Sequence, residues 1–502
     1  MNERSRVPLL LALCSAFVQA HGAITTGHLM WLAAVPWGAA LVLACRDSSP
    51  ARAARTAFGL GAWIGAVSSA HLWGIAYYHP AVYVLTIAYH ALVWGTFSAF
   101  AGVALVRSGG TWALRSGAAW ALIEGARSIG GWSFPFYFGG TLARETVVVQ
   151  LASVIGTSGL SGLLFWVGFG ASGYLAAAWG ERRWARPGLL LPPLAFVALS
   201  TGWGALRLHN APRARTSERV AALQGSIPPW FYTLAAGTGP YRRVVEEHYG
   251  FLYRKALASS PPPDFVLFPE TTFDWPTLPN TAAIRRLATL SATRIPPRTQ
   301  IVFGVAFTES YEGGSVNGVG IASADAAGLP RLDSVITKHQ LVPLIEMRDR
   351  PSDIWQVADA GGKRLGVMIC YESMYTEPAL FASRRGASLL TVLSDDGGMR
   401  HAPIAWTHAE QDRMRAIEAG IPLVRAGQAG VSYGVDAYGR LLGRLDSWKV
   451  GALTVDVPMN RLETVYTAVG RYWLVIWAAI AFTGLRLRRF REILPREEAR
   501  GG

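Results

Sequence analysis

The sequence predicts a multi-pass α-helical membrane bundle of about eight helices, joined to an external α/β domain. The chain has 502 residues, of which 51% are hydrophobic and only 16% are charged, and its mean hydropathy is +0.25. This composition is too apolar for a soluble protein of that length. Long uncharged runs fill the first part of the chain and recur near its C-terminus, whereas the stretch between them is polar and mixed.

Eight apolar segments carry the membrane prediction, seven of them before residue 207 and one near the C-terminus. Arginines fall in alternate loops, so the positive-inside rule places both ends of the chain in the cytoplasm. The first segment could also be a cleaved signal peptide, but the alternation of arginines favours a retained helix. The segments are approximately 7–22, 27–45, 56–76, 82–106, 112–130, 148–179, 187–206 and 468–485, and the arginines include Arg46, Arg107, Arg182 and Arg486.

Three regions follow from this pattern. Residues 1–212 are expected to form the membrane domain, residues 213–460 an external domain, and residues 461–502 a final transmembrane helix with a basic cytoplasmic tail. The external region alternates β-rich runs with helical patterns, which is typical of a layered α/β fold. The β-rich runs are 220–223, 265–268, 301–307, 365–370, 389–393 and 423–426, and the helical patterns are 241–258, 282–292 and 407–419.

The net charge of +14 could indicate a nucleic-acid or anionic-lipid partner. Much of the arginine, however, lies in short loops beside apolar runs, where it signals membrane topology. No basic stretch is interleaved with aromatic residues in the manner of a nucleic-acid module, so we expect a membrane protein without a nucleic-acid partner.

Cysteine and histidine usage restricts the possible sites further. Cys14 and Cys45 lie in membrane-like segments, which leaves Cys370 as the one thiol of the polar region and excludes a disulfide framework. His401 and His408 lie near Asp395, but their spacing fits no established metal-ligand pattern. We therefore expect neither a metal nor another cofactor.

Three polar residues of the external region each follow an apolar strand. Glu270 closes 265–269, Lys338 follows 333–337, and Cys370 closes 366–369. Strand ends at one sheet edge converge, so these side chains can meet in a pocket. A carboxylate base or a lysine cation promotes attack by a thiol, and the lysine can also stabilise an oxyanion. Taken singly, each residue has a plainer explanation, since unpaired cysteines usually pack in cores and the other two types usually face solvent.

These motifs, in this order, resemble the carbon–nitrogen hydrolase (nitrilase) superfamily. With the membrane segments included, the chain resembles the membrane-bound branch of that superfamily, the apolipoprotein N-acyltransferase family. The resemblance extends nearly from end to end. It rests on Phe268-Pro269-Glu270, Lys338–Pro343, Cys370-Tyr371-Glu372, Leu223–Pro228, Trp120…Glu124…Arg127, and Arg415…Glu418…Pro422–Ala426.

The resemblance implies an αββα nitrilase-like sandwich on the periplasmic side of the bacterial inner membrane. It implies a ping-pong acyl transfer in which Cys370 takes a fatty acyl chain from a phospholipid as a thioester. Glu270 is then the general base, and Lys338 stabilises the tetrahedral intermediate. The acceptor is the α-amino group of the diacylglyceryl-cysteine of an apolipoprotein. Further essential residues of the family correspond to Glu346, Tyr371 and Glu372.

Three stretches depart from the family pattern, and other functions stay open. Leu344-Ile345 precedes Glu346 where the family has Phe-Gly, Asp395–Met399 lacks a usual tryptophan, and Gln428-Ala429-Gly430 replaces Asn-Thr-Gly. The alternatives are a membrane-anchored nitrilase-like amidase and an N-acyltransferase that uses a different amine. A third is a transporter or receptor with an inactive external domain. The helix bundle favours lipid substrates over a simple hydrolase, and the intact set of Glu, Lys and Cys argues against an inactive domain.

Overall fold

A computed structural model of the chain describes residues 3–25, 30–129, 136–178, 190–270, 272–273, 288, 290, 294–308, 315–347 and 349–483. Some predicted features lie outside these residues. They are the arginine-bearing loop around residue 182, most of the helical pattern 282–292, and the basic tail that follows residue 483.

Each predicted apolar segment overlaps a helix. Among the described residues, three helical stretches are long and apolar enough to cross a membrane: Pro80–Arg127, Val148–Leu175 and Val465–Phe482. These stretches are those of a membrane protein, whereas the number of eight crossings stays a prediction. The helices are α1 (Glu3–Thr25), α2 (Ala34–Cys45), α3 (Pro50–Ser68), α4 (Pro80–Ser108), α5 (Trp112–Arg127), α6 (Ala152–Ala178) and α7 (Leu191–His209).

An aromatic cluster holds the N-terminal helices together. Trp37 of α2 meets Phe97 of α4 and Phe165 of α6 edge to face, with ring centroids 5.3 Å apart in both cases. Such edge-to-face pairs add to the free energy of apolar burial. Gly61 lets α3 approach α4 closely, because a Cβ at this position would lie 2.4 Å from the Trp94 carbonyl oxygen.

The external region forms two six-stranded sheets with strand orders β12-β1-β2-β3-β4-β5 and β11-β10-β9-β8-β7-β6. Each predicted β-rich run overlaps one of the strands. The bounds are β1 (Ser217–Gln224), β2 (Phe265–Leu267), β3 (Gln300–Thr308), β4 (Ser315–Ala324), β5 (Pro330–Thr337), β6 (Val357–Ala360), β7 (Lys363–Ile369), β8 (Leu389–Ser394), β9 (Leu423–Gly427), β10 (Ser432–Val435), β11 (Leu441–Leu445) and β12 (Gly451–Pro458).

The sheets pack face to face, and helices cover their outer faces. Buried side chains from both sheets, among them Leu267, Val302, Leu365, Ile369 and Val424, form the core between them. Separate apolar clusters join the first sheet to its helices and the second sheet to its own. The helices are α8 (Pro229–Gly237) and α9 (Gly239–Leu257) on the first sheet, and α10 (Glu377–Arg384) and α11 (Ile404–Ala419) on the second. The predicted αββα sandwich is therefore confirmed.

The chain then returns to the helical part through α12 (Val465–Val469) and α13 (Trp473–Phe482). The predicted region boundaries near residues 212 and 460 both fall in connecting segments, because α7 ends at His209 and β12 ends at Pro458. The three-region division itself stays a prediction.

Helix α11 joins the sandwich to the membrane-type helices. Helix α6 is interrupted at Gly156, whose φ of 72° and ψ of 173° are not helical. The interruption leaves the Thr157 N–H available, and it donates to Glu418 of α11 at 2.7 Å, as does the Thr157 hydroxyl. Glu418 also pairs with Arg415, 3.0 Å away, and all four groups are buried. The Glu418 carboxylate of the sandwich thus caps the part of α6 that begins after Gly156.

Candidate active site

The ends of three strands bring the predicted catalytic residues to one cavity of about 390 Å³. Strands β1, β2 and β3 run parallel, as do β7, β8 and β9, so their carboxyl ends share an edge of each sheet. Glu270 lies three residues after β2, Lys338 directly follows β5, and Cys370 directly follows β7. Glu346 and Tyr371 line the same cavity.

Lys338 is the charge centre of the site. Its Nζ lies 2.9 Å from Glu270 Oε1 and 2.7 Å from Glu346 Oε1, and its side chain has no exposed surface. Burial by itself lowers the pKa of Lys338, but the charges of Glu270 and Glu346 outweigh it and raise the pKa well above its usual value. The ammonium therefore stays protonated at any physiological pH.

Glu270 is held from both sides. Its Oε1 accepts hydrogen bonds from Lys338 and from Asn317 Nδ2, at 2.9 Å and 2.8 Å, and its Oε2 accepts one from the Asp395 N–H at 3.0 Å. Burial raises the pKa of Glu270, but the Lys338 charge and hydrogen bonds from Lys338, Asn317 and Cys370 bring the pKa below its usual range. The carboxylate is consequently ionised and can accept a proton.

Cys370 begins a short 310 helix, Cys370–Met374, with a φ of +50°. Non-glycine residues occupy this left-handed region at a cost of about 1–3 kcal/mol, and such strain is concentrated at functional sites. The thiol is partly buried and accepts a hydrogen bond from Ser394 Oγ at 3.5 Å. Burial and then the Glu270 charge raise its pKa well above its usual value, although Lys338 opposes them. The resting sulfur is thus a thiol, which needs a base in order to attack.

Glu372 lies behind the cavity and joins two of its loops. Its Oε2 accepts a hydrogen bond from the Ile369 N–H at 2.7 Å, and its Oε1 accepts hydrogen bonds from the N–H groups of His339 and Gln340 at 2.7 Å and 3.1 Å. Burial raises the pKa of Glu372, whereas the backbone donors and the Lys338 charge lower it. Burial prevails, and the resulting pKa is about 7. Glu372 therefore ties the turn that follows Lys338 to the turn that carries Cys370.

Glu346 and Tyr371 complete the predicted set. Glu346 Oε2 accepts the Val342 N–H at 2.6 Å, so the carboxylate also closes its own loop. This loop reaches Lys338 even though it carries Leu344-Ile345 in place of the family's Phe-Gly. Tyr371 is buried, and its hydroxyl accepts a hydrogen bond from Tyr375 Oη at 3.0 Å.

A buried ionic network behind the nucleophile was missed by the sequence analysis. Asp396 Oδ2 lies 2.5 Å from Arg425 Nη2, and its Oδ1 lies 2.9 Å from His408 Nδ1. His408 Nε2 reaches both the Cys370 carbonyl oxygen and Ser373 Oγ at 3.1 Å. The charges of Arg425 and His408 overcome the effect of burial and lower the pKa of Asp396. The network fixes the backbone of the turn that bears the thiol.

Potential metal ligands also occur here. Within the described part of the chain, Cys370, Asp396 and His408 place three possible ligand atoms within 4.8 Å of one another. Each of these groups already has protein partners, and the Arg425 cation beside Asp396 opposes a second positive charge. The geometry fits a positioning network rather than a metal centre.

Two cavity residues come from the helical part. Ile75, in the 310 helix Ser69–Tyr77, and Tyr78, just after it, line the cavity together with Cys370. Nothing in the local sequence pattern identifies them, because they approach the site from a separate region of the chain. Asp395 and Asp396 could have been found, since they follow β8 at the sheet edge shared with Cys370.

Gln428, at the third departure from the family pattern, forms hydrogen bonds through both the oxygen and the nitrogen of its amide. Its Oε1 accepts the Tyr249 hydroxyl at 2.7 Å, and its Nε2 donates to the Ile227 carbonyl at 2.8 Å. Its amide therefore connects the end of β9 to the first helices of the sandwich.

Comparisons with known proteins agree with this architecture. Residues 219–467 match the carbon-nitrogen hydrolase family model, and residues 11–170 match the apolipoprotein N-acyltransferase N-terminal domain. The apolipoprotein N-acyltransferase of Rhizobium etli is 26% identical over 355 residues, which cover 65% of this chain and 64% of that protein. The one of Rhodopseudomonas palustris is 26% identical over 388 residues, covering 70% and 69%.

The chain thus spans slightly less than two thirds of the length of the Rhizobium etli relative. Among solved structures, an amidase from Nesterenkonia is 23% identical and is covered over 98% of its length by 52% of this chain, with a TM-score of 0.38.

Proposed function

Because the chain belongs to the apolipoprotein N-acyltransferase family of the carbon–nitrogen hydrolase superfamily, we propose that it acylates apolipoproteins. It transfers a fatty acyl chain from a phospholipid to the α-amino group of an N-terminal diacylglyceryl-cysteine. One observation carries the proposal. A thiol, a carboxylate and an ammonium, from Cys370, Glu270 and Lys338, line a single cavity that residues of the helical part also border.

In the first half-reaction, the Cys370 sulfur attacks the ester carbonyl carbon of the phospholipid while Glu270 takes the thiol proton. The carbonyl π electrons move to oxygen, and the Lys338 ammonium stabilises the oxyanion. The tetrahedral intermediate then collapses, the C–O bond breaks, and the proton on Glu270 passes to the leaving alkoxide. The products are a thioester on Cys370 and a lysophospholipid.

In the second half-reaction, the amine nitrogen of the acceptor attacks the thioester carbonyl and Glu270 takes a proton from it. Lys338 stabilises the second oxyanion. The C–S bond then breaks, the amide is released, and the proton on Glu270 returns to the Cys370 sulfur. The thiol proton thus ends on the lysophospholipid and the amine proton ends on Cys370, so the free thiol is regenerated and the mechanism requires no cofactor.

Glu346, Tyr371 and Glu372 take supporting roles in this proposal. Glu346 holds Lys338 in place, Tyr371 forms part of the cavity wall, and Glu372 aligns the two loops. Both substrates are lipids, which fits a sandwich attached to membrane-type helices. We place the enzyme in the bacterial inner membrane as an eight-pass protein, with residues 213–460 on the periplasmic side.

The test is to incubate the purified full-length protein with vesicles of phospholipid labelled in its acyl chain. We expect a covalent adduct that is stable to acid and sensitive to hydroxylamine, and that disappears in Cys370→Ala. The matched control is Cys14→Ala, which removes an exposed thiol from α1 and should leave the adduct unchanged. A wild-type protein without an adduct, or an adduct that persists in Cys370→Ala, contradicts the mechanism.

The acceptor is tested on the same adduct. Addition of a diacylglyceryl-cysteine peptide should discharge the thioester into an N-acyl peptide. Release of free fatty acid at the same rate with and without the peptide would instead identify a hydrolase. Discharge by simple amines but not by the peptide would identify a different acceptor.

A further inference from the structure

The cavity around Cys370 has a charged side and an apolar side. Glu270, Lys338 and Glu346 form the charged side. The apolar side includes Ile75, Met374, Met399 and Ile404. The reacting carbonyl group belongs at the charged side, where the oxyanion meets Lys338, and an apolar acyl chain attached to it fits the apolar side.

The apolar side continues into a contact between the helical part and the sandwich. Ile75 belongs to a buried cluster that also holds Leu72 and Val82, and Met399 and Ile404 supply the opposite wall. We call this contact the seam. Ile75 belongs to both the seam and the cavity wall. Its 310 helix, Ser69–Tyr77, directly precedes Pro80–Arg127, one of the stretches long enough to cross a membrane.

The two walls of the seam are held close to each other. A Cβ at Gly74 would lie 2.5 Å from the Ala402 Cβ, so the backbone of the 310 helix approaches the sandwich directly. The Arg400 guanidinium lies 4.0 Å from the centre of the Tyr77 ring, a distance typical of a cation–π contact. The two walls are therefore in direct contact at the seam.

Tyr78 lies three residues after Ile75 of the seam, and both side chains line the cavity. A Cβ at Gly398 would lie 2.5 Å from the Tyr78 ring, so the ring fills the space that a side chain at residue 398 would take. Both residues line the cavity, and Tyr78 retains 40% of its surface accessible. The ring thus forms part of the cavity wall, and it fits there because Gly398 has no side chain.

We propose that the apolar side of the cavity, which borders the seam, holds the hydrocarbon chain of the acyl donor, and that the Tyr78 ring, seated against Gly398, sets the length of chain that fits. This inference rests on the proposed function, because it assumes an acyl group on Cys370. Tyr78 is then a specificity-determining residue supplied by the helical part. Each additional methylene that becomes buried should raise kcat/KM about fourfold, which corresponds to about 0.8 kcal/mol.

The experiment is a competition among donors of one headgroup that carry short, medium or long saturated chains, with the full-length protein in vesicles. Mass spectrometry of the Cys370 thioester gives the ratio of long-chain to short-chain adduct at early times. In Tyr78→Ala this ratio should rise at least about fourfold, because one further methylene or more becomes buried. Tyr78→Leu, a milder truncation, should shift it in the same direction, and Tyr78→Trp should lower it.

Two variants serve as controls. Tyr78→Phe keeps the ring and should keep the ratio of the wild type. Trp73→Ala removes a large ring from the same 310 helix at a position that does not line the cavity, and it should also leave the ratio unchanged. Unfolding temperatures measured in detergent identify any variant whose fold is damaged.

The outcomes separate the two levels of the proposal. A thioester that forms normally but shows the same chain-length ratio in Tyr78→Ala, Tyr78→Leu and Tyr78→Trp overturns the inference about Tyr78 alone. A uniform loss of rate for every chain length does so as well, because it indicates a purely structural role. A wild-type protein that forms no thioester with any donor overturns the proposed function itself.

Discussion

The Lys338 ammonium lies between two carboxylates, and Lys338→Met removes it while keeping an unbranched side chain of similar length. In the native site, Asn317 Nδ2 donates to Oε1 of both Glu270 and Glu346, at 2.8 Å and 3.1 Å, so these two oxygens lie close together. Without the cation, nothing in that contact balances their charges. We therefore expect one carboxyl group to become protonated.

The size of the effect follows from the contacts that are lost. Burial raises the pKa of Glu270, and the Lys338 charge is the first of the influences that lower it, so loss of that charge should raise the pKa of Glu270. Glu270 must be ionised to take the thiol proton, and the rate therefore falls as the pH falls through its pKa. A higher pKa moves this fall to higher pH. Loss of the oxyanion contact should separately reduce the limiting rate by about 10²–10³.

The assay is single-turnover formation of the Cys370 thioester over a range of pH. Lys338→Met should show both a lower plateau and an acid limb displaced to higher pH. Lys338→Arg keeps the charge and should keep the acid limb near that of the wild type, even if its plateau is lower. If the plateau falls in Lys338→Met while the acid limb stays in place, Lys338 does not control the ionisation of Glu270 and the reasoning is wrong.

Two further predictions concern Glu372, which ties two loops of the site together, and Gly156, which interrupts α6. Glu372→Gln should slow thioester formation by about 10²-fold and lower stability by about 1–3 kcal/mol, because the amide cannot accept from all three N–H groups and displaces the turn of Cys370. Gln340→Ala is its control, and equal rates and melting temperatures in the two variants would refute the role. Gly156→Ala should destabilise the protein by about 1–3 kcal/mol or more, since its φ of 72° suits only glycine and a Cβ would lie 2.3 Å from the Tyr466 ring. Gly59→Ala, at an open helical position, should be neutral or slightly stabilising, and a similar loss in both variants would contradict the assignment.

The parts of the fold that could be predicted are those encoded by local periodicity. Buried segments such as 365–369 of β7 read as continuous apolar runs, and amphipathic helices such as α9 show the helical period. Strands β10 and β11 were not predicted, because each is short and also carries an interior glycine, Gly434 and Gly443, which weakens the strand signal. Their positions depend on pairing with distant strands rather than on their own sequence.

The same distinction applies to the site. Glu270, Lys338 and Cys370 could be found because Lys338 and Cys370 directly follow β5 and β7, and Glu270 ends the apolar run that contains β2. Asn317 lies inside β4, and His408 lies on α11, where a polar residue at a helical position has many ordinary explanations. Tyr78 belongs to a different region of the chain, and only the docking of the two parts brings it to the thiol.

The pKa values of Cys370 and Glu270 are shifted in opposite directions, and this determines when the site becomes reactive. The pKa of the Cys370 thiol lies well above its usual value and the pKa of Glu270 lies below its own, so proton transfer between them is unfavourable in the resting site. Transfer becomes favourable only when a donor carbonyl is present. Attack on that carbonyl moves the new negative charge from the sulfur to the carbonyl oxygen, which faces Lys338. The thiolate therefore does not accumulate, and the sulfur reacts when a carbonyl is already seated. A donor whose chain fills the apolar side of the cavity also excludes water from it, which favours the amine over water in the second half-reaction.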